Sequence, residues 1–140
     1  GCRNSGREGR SVAPSHRVAM PILLLRLEGA AALAVATWGY ALTGASWGWF
    51  AALLLVPDVS MVGYLRGPRI GAAAYNVAHT YAAPALLAVA SVGLGWTPGV
   101  PVALIWTAHI GLDRLLGYGL KQPDGFHQTH LGPIGPARHG

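Results

Sequence analysis

Four apolar stretches, residues 22–43, 47–65, 70–94 and 100–120, make up most of this chain. Each is close to the ~20 residues that a helix needs to cross a ~30 Å hydrocarbon core. The connectors between them are only a few residues long. They carry Gly44, Gly67, Pro68, Gly95, Pro98 and Gly99, where helices are expected to stop. Connectors this short make sequential helices antiparallel neighbours. Alanine-rich runs such as residues 30–36 show no alternation of the kind a membrane β-barrel requires, and they favour helix. The fold class expected is therefore all-α, an integral-membrane four-helix up-down bundle. Composition agrees: 11% of the 140 residues are charged, against roughly a quarter in soluble domains. The single Cys2 excludes a disulfide scaffold.

The basic residues orient the bundle. Arg3, Arg7, Arg10, Arg17 and Arg26 precede or begin the first stretch, Arg66 and Arg69 flank the second connector, and Arg114, Lys121 and Arg138 lie at the end of the fourth or beyond. The first and third connectors are uncharged. Short cytoplasmic loops retain Lys and Arg, so both termini are expected in the cytoplasm and the protein in the inner (plasma) membrane as a multi-pass protein. Trp47, Trp49 and Trp96 then belong to the opposite headgroup region. The +5 net charge reads as topology and attraction to anionic lipids at the cytoplasmic face; no nucleic acid is expected, because the arginines are scattered. Residues 1–20 read as a disordered polar tail that need not be native, since Met20 stands just before the first stretch. Residues 21–121 read as the transmembrane domain and 122–140 as a Gly-, Pro- and His-rich cytoplasmic tail.

Ionisable groups inside spans are costly, and are functional candidates by default. The spans hold Glu28, Asp58, Asn76, His79, His109 and Asp113. At 1.5 Å per residue all of them fall about two to three turns from the cytoplasmic end of their helices. His109 and Asp113 share a face at i,i+4, as Asn76 and His79 do at i,i+3. Pro57 leaves the Leu53 carbonyl without its helical donor, and Pro84 does the same to Thr80, so polar backbone joins this level. Ala74, Ala78 and Ala82 have the small-xxx-small spacing that lets a helix pack closely.

Arg26-Leu27-Glu28-Gly29, Pro57-Asp58-Val59-Ser60-Met61 with Gly63-Tyr64, Tyr75-Asn76-Val77-Ala78-His79-Thr80-Tyr81, the block from His109 to Lys121, and Thr129-His130-Leu131-Gly132 occur in order. Together they resemble the bacterial membrane family called domain of unknown function 4260. The resemblance covers about residues 23–135 and implies no activity. It does place the family's signature blocks on the buried polar set.

Three chemistries fit that set. His79, His109, Asp113 and Asp58 are a ligand set for a divalent metal, with Glu28 a further ligand or proton acceptor and Asn76 positioning a substrate; this would be hydrolytic or acid-base catalysis on a membrane-associated substrate. Alternatively, the same groups relay protons or ions in a small transporter or in a helper subunit of a larger complex. Thirdly, they form ion pairs that fix helix register. A homodimer is left open. Arg114 is a candidate anion contact, and Thr129 and His130 a candidate lid over the cytoplasmic mouth. Nucleotide and flavin fingerprints, nucleophile elbows and Cys pairs are absent from the sequence.

Overall fold

A computed structural model describes residues 16–119, 128–129 and 132–133, with side chains from 20 to 119. Cys2 and the candidate lid residue His130 lie outside the described residues. The elements are α1 (His16–Thr43), α2 (Trp47–Leu53), a 3-10 helix (Val56–Arg66), α3 (Pro68–Ala78), α4 (Ala82–Leu94) and α5 (Gly99–Leu116). A two-residue antiparallel pairing joins β1 (Gln128–Thr129) to β2 (Gly132–Pro133). α1 therefore begins inside the segment expected to be an N-terminal tail.

Four unbroken spans were the expectation, and two of the four are broken. α2 ends at Leu53, four residues before Pro57, which has no N–H to offer the Leu53 carbonyl and whose ring crowds it. The chain then continues for 11 residues as a 3-10 helix, a form that seldom persists beyond 3–4 residues. Its steeper rise lets α2 and the 3-10 helix together reach roughly 30 Å, enough to cross. The third span bends by 48° between α3 and α4, at residues 79–81 just before Pro84. Among the described residues, two helices are long and apolar enough to cross a membrane, or three if the bent pair is one span. The more polar α5 is not one of these.

What is buried explains why. α5 is the central element, packed against α1, α4 and α2, and it buries His109 and Arg114 along with Ala103, Ile105, Ala108 and Ile110. The outward faces carry Leu42, Leu86, Val89 and Leu94, each at least 71% exposed. Polar groups inside and large apolar groups outside are what lipid, not water, requires of a surface.

α1 and α5 cross almost backbone to backbone. A Cβ on Gly111 would stand 2.6 Å from the Leu33 nitrogen and 2.7 Å from the Gly29 oxygen. Gly29 meets Gly111, Arg114 and Leu115 while Gly39 meets Leu104, so the two helices run antiparallel. The Arg26 side chain donates from Nε to the Leu115 carbonyl at 2.8 Å, tying the N-terminal half of α1 to the end of α5. Only part of the Ala74, Ala78, Ala82 stripe lies at a close approach. Gly71 sits under the Tyr64 ring and Ala74 against Gly63, both in the 3-10 helix, while Ala82 is exposed.

Candidate metal centre

Three segments converge where the two broken spans meet α5. Asp58 is the third residue of the 3-10 helix, directly after the buried Pro57. His79 caps the C-terminus of α3, at the bend. His109 and Asp113 project from one face of α5, one turn apart. Both helix breaks fall near prolines and beside ligand-type side chains, where irregular backbone inside a membrane protein is tolerated because it lines a polar site.

The four side chains present four donor atoms to one point. His79 Nε2 lies 3.0 Å from His109 Nε2 and 3.3 Å from both Asp58 Oδ1 and Asp113 Oδ2. His109 Nε2 lies 3.4 Å from each of the same two oxygens. A tetrahedral ion with bonds of 2.0–2.1 Å has ligand-to-ligand edges of about 3.3 Å. Five of the six donor-to-donor distances come near those edges; the sixth, between the two carboxylate oxygens, is not among them. All four donor atoms lie within 4.8 Å of one another, and the group can hold a metal ion. Both imidazoles are buried, whereas the Asp113 side chain is 16% and the Asp58 side chain 43% exposed, so the cluster opens at Asp58.

The surroundings orient His79 closely. Its Nδ1 donates to the Tyr75 carbonyl at 2.8 Å, which leaves Nε2 with its lone pair facing the cluster. The Tyr75 ring stacks on the imidazole at 3.7 Å between centroids, only 10° from parallel. Arg114 Nη2 donates to the His79 carbonyl at 2.9 Å and Nη1 to the Tyr118 carbonyl at 3.0 Å. Trp106 Nε1 donates to the Ala78 carbonyl at 2.6 Å. The end of α3 would otherwise leave carbonyls without donors inside the bundle; two side chains of α5 supply them. His109 differs: its Nδ1 is buried with no hydrogen-bond partner among the described residues.

This geometry sorts the residues expected from sequence. Asp58, His79, His109 and Asp113 come together. Glu28 does not join them, and stands exposed on α1 because the face of α1 turned to α5 is the Gly29 face. Asn76 is half-buried in α3, three residues before His79. The Arg114 guanidinium is spent on backbone carbonyls. Thr129 falls in the short β pairing, and His130 lies outside the described residues. Tyr75, Trp106 and Ser60 were not singled out from sequence. Tyr75 was findable, at i−4 from His79; Trp106 acts through a contact 28 residues away in sequence that no local pattern announces.

A family description, Domain of unknown function (DUF4260), matches residues 22–134. The chain belongs to the DUF4260 family. No curated protein and no solved structure matches it. The matched region of this DUF4260 protein contains all four donor residues and every side chain that orients them.

Proposed function

We propose that this DUF4260 protein is a membrane-embedded, metal-dependent hydrolase-like enzyme acting on a membrane-associated substrate. The observation that supports this most is the convergence of four donor atoms within 4.8 Å of one another, two of them on buried imidazoles. Mixed imidazole and carboxylate donors suit a first-row divalent ion such as Zn2+ better than Ca2+ or Mg2+. Such an ion, when bound, supplies Lewis acidity to a carbonyl and acidity to a water. Asp58, the most exposed of the four, is the group placed to take a proton from an incoming water at its second oxygen. Asn76 is the residue assigned to hold the substrate, with Arg114 and Trp106 keeping His79 in place.

One observation favours a second reading. Four protein donors are enough to fill a tetrahedral ion's positions, whereas catalytic ions usually keep one position open. A closed site would act as a staple joining the 3-10 helix, α3 and α5. Product release separates the two. The tag-free protein, loaded with Zn2+ in bilayer nanodiscs containing ester lipids, is followed by mass spectrometry with and without chelator. Chelator-sensitive release of cleaved lipid, lost in Asp58→Asn, is the expected result. No release from a fully loaded protein, with unfolding accelerated by chelator, overturns the enzyme reading in favour of the staple.

A further inference from the structure

The 3-10 helix and α3 pack chiefly on one another. Gly71 admits the Tyr64 ring, Gly63 meets Ala74, and Gly67 at φ +118° makes the turn between the two elements, so residues 56–78 form one tight hairpin. Neither element packs more than lightly on any other described element. The remaining helices hold together without it: α1 and α4 lie on α5, and α2 is anchored by Phe50 and Trp47, whose rings stand 5.0 and 5.2 Å from that of Tyr40 on α1.

What joins the hairpin to the rest is side-chain chemistry at one end. Trp106 Nε1 reaches the Ala78 carbonyl at 2.6 Å and Arg114 Nη2 the His79 carbonyl at 2.9 Å. The donor cluster bridges the same junction, with Asp58 and His79 on the hairpin side and His109 and Asp113 on α5. Elsewhere the two faces do not interlock. A cavity of ≈ 300 Å³ separates Val56, Pro57 and Ala78 from Val102, Ile105 and Trp106, whereas packed interiors hold few voids larger than a water. Both ends of the hairpin are irregular: residues 54–55 lie between α2 and the 3-10 helix, where Pro57 denies the Leu53 carbonyl a donor, and residues 80–81 lie in the 48° bend before α4. Hinges are built from a few such element-terminal residues.

We infer that residues 56–79 are a flap that swings as one body on hinges at 54–55 and 80–81, parting Asp58 and His79 from His109 and Asp113 to let a divalent ion reach the cluster, and that the bound ion holds the flap shut. With the flap closed the cluster opens only at Asp58, and both imidazoles are buried, so entry needs the two sides to separate. Four donors that meet only in the closed form give the ion a higher affinity for that form, which is what shifts the equilibrium toward it. The ion's part rests on the metal-centre reading; the hinged flap rests on the packing alone.

Spin-label distances in bilayer nanodiscs test this, in a Cys2→Ser background that removes the native thiol. One labelled pair, Leu65→Cys with Val89→Cys, spans the flap and α4; a second, Leu65→Cys with Val77→Cys, lies within the flap. The three positions are 87%, 72% and 66% exposed, so labels there leave the packing intact. Leu65 stands roughly 20 Å of 3-10 rise from the first hinge, so a swing of about 20° carries it about 7 Å. With Zn2+ bound, the Leu65–Val89 distance is expected to be narrow; chelator should add a second population shifted by about that much, while the Leu65–Val77 distance stays fixed. Trp106→Phe removes one tie and no donor, and should raise the open population about fivefold in the ion-free protein. A Leu65–Val89 distance that responds to neither chelator nor Trp106→Phe overturns the flap, and so does a Leu65–Val77 distance that changes along with it, the mark of local unfolding. Ion content is measured on the same samples by mass spectrometry. No ion in the loaded protein sinks the metal centre, and Trp106→Phe alone then decides the flap; an ion retained with the Leu65–Val89 distance unchanged throughout sinks the flap alone.

Discussion

Arg114 shows how much of this site is built by residues that never touch its centre. A guanidinium inside a bundle must spend its donors on fixed acceptors. This one spends them on the carbonyls that close α3 and α5. Replacing it with Leu leaves the His79 carbonyl buried without a donor, and is expected to cost about 1–3 kcal/mol, read by unfolding in mixed micelles. Because His79 then loses its anchor, affinity for a divalent ion should also fall about 10–100-fold by competition with a chelating dye. Unchanged affinity in a folded Arg114→Leu protein would mean that His79 is oriented by Tyr75 alone. From sequence Arg114 resembled an anion contact, since its neighbour Asp113 and its place in a span were visible. The carbonyls it serves were not: that of His79 lies at the bend, which is set by tertiary packing, and that of Tyr118 lies just past the end of α5.

Among the elements, the two prolines matter most. Pro57 ends α2 and starts the 3-10 helix that delivers Asp58, while Pro84 follows the bend that delivers His79. Pro57→Ala restores a donor for the Leu53 carbonyl, so α2 should extend past its present end. Helicity by circular dichroism is expected to rise slightly while metal affinity falls at least about tenfold, since Asp58 is turned away. A rise in helicity with affinity intact would show that Asp58 is not a ligand. Both prolines and the freed carbonyls were legible in the sequence, and so was the depth shared by the polar residues. The length of the 3-10 segment was not, because the i→i+3 pattern leaves no distinct hydrophobic period. Glu28 misled for a related reason: depth was readable, but the helix face was not. Gly29 next to it decides the face, since only a glycine admits α5 so closely.

At the scale of the whole molecule, α5 joins everything: α1 lies on it through glycines, and the site elements reach it through Arg114, Trp106 and His109. Gly111→Val puts side-chain atoms where the Gly29 carbonyl stands, and is expected to cost about 3 kcal/mol or more and to disturb both helices together. A variant of unchanged stability would mean that the α1–α5 crossing is loose. The helical, apolar character of the chain was readable from hydropathy, as α1 shows, and α1 and α5 pack antiparallel. That two spans break, and that the breaks build the site, needed the packed structure. Whether the four donors from three segments form one metal centre is tested most directly by metal content. Mass spectrometry of tag-free protein purified in detergent and reconstituted with divalent ions should find about one ion per chain. His79→Ala and His109→Ala should each lose it while the helices persist. A folded wild-type protein that takes up no ion, or variants that keep it, would contradict the claim.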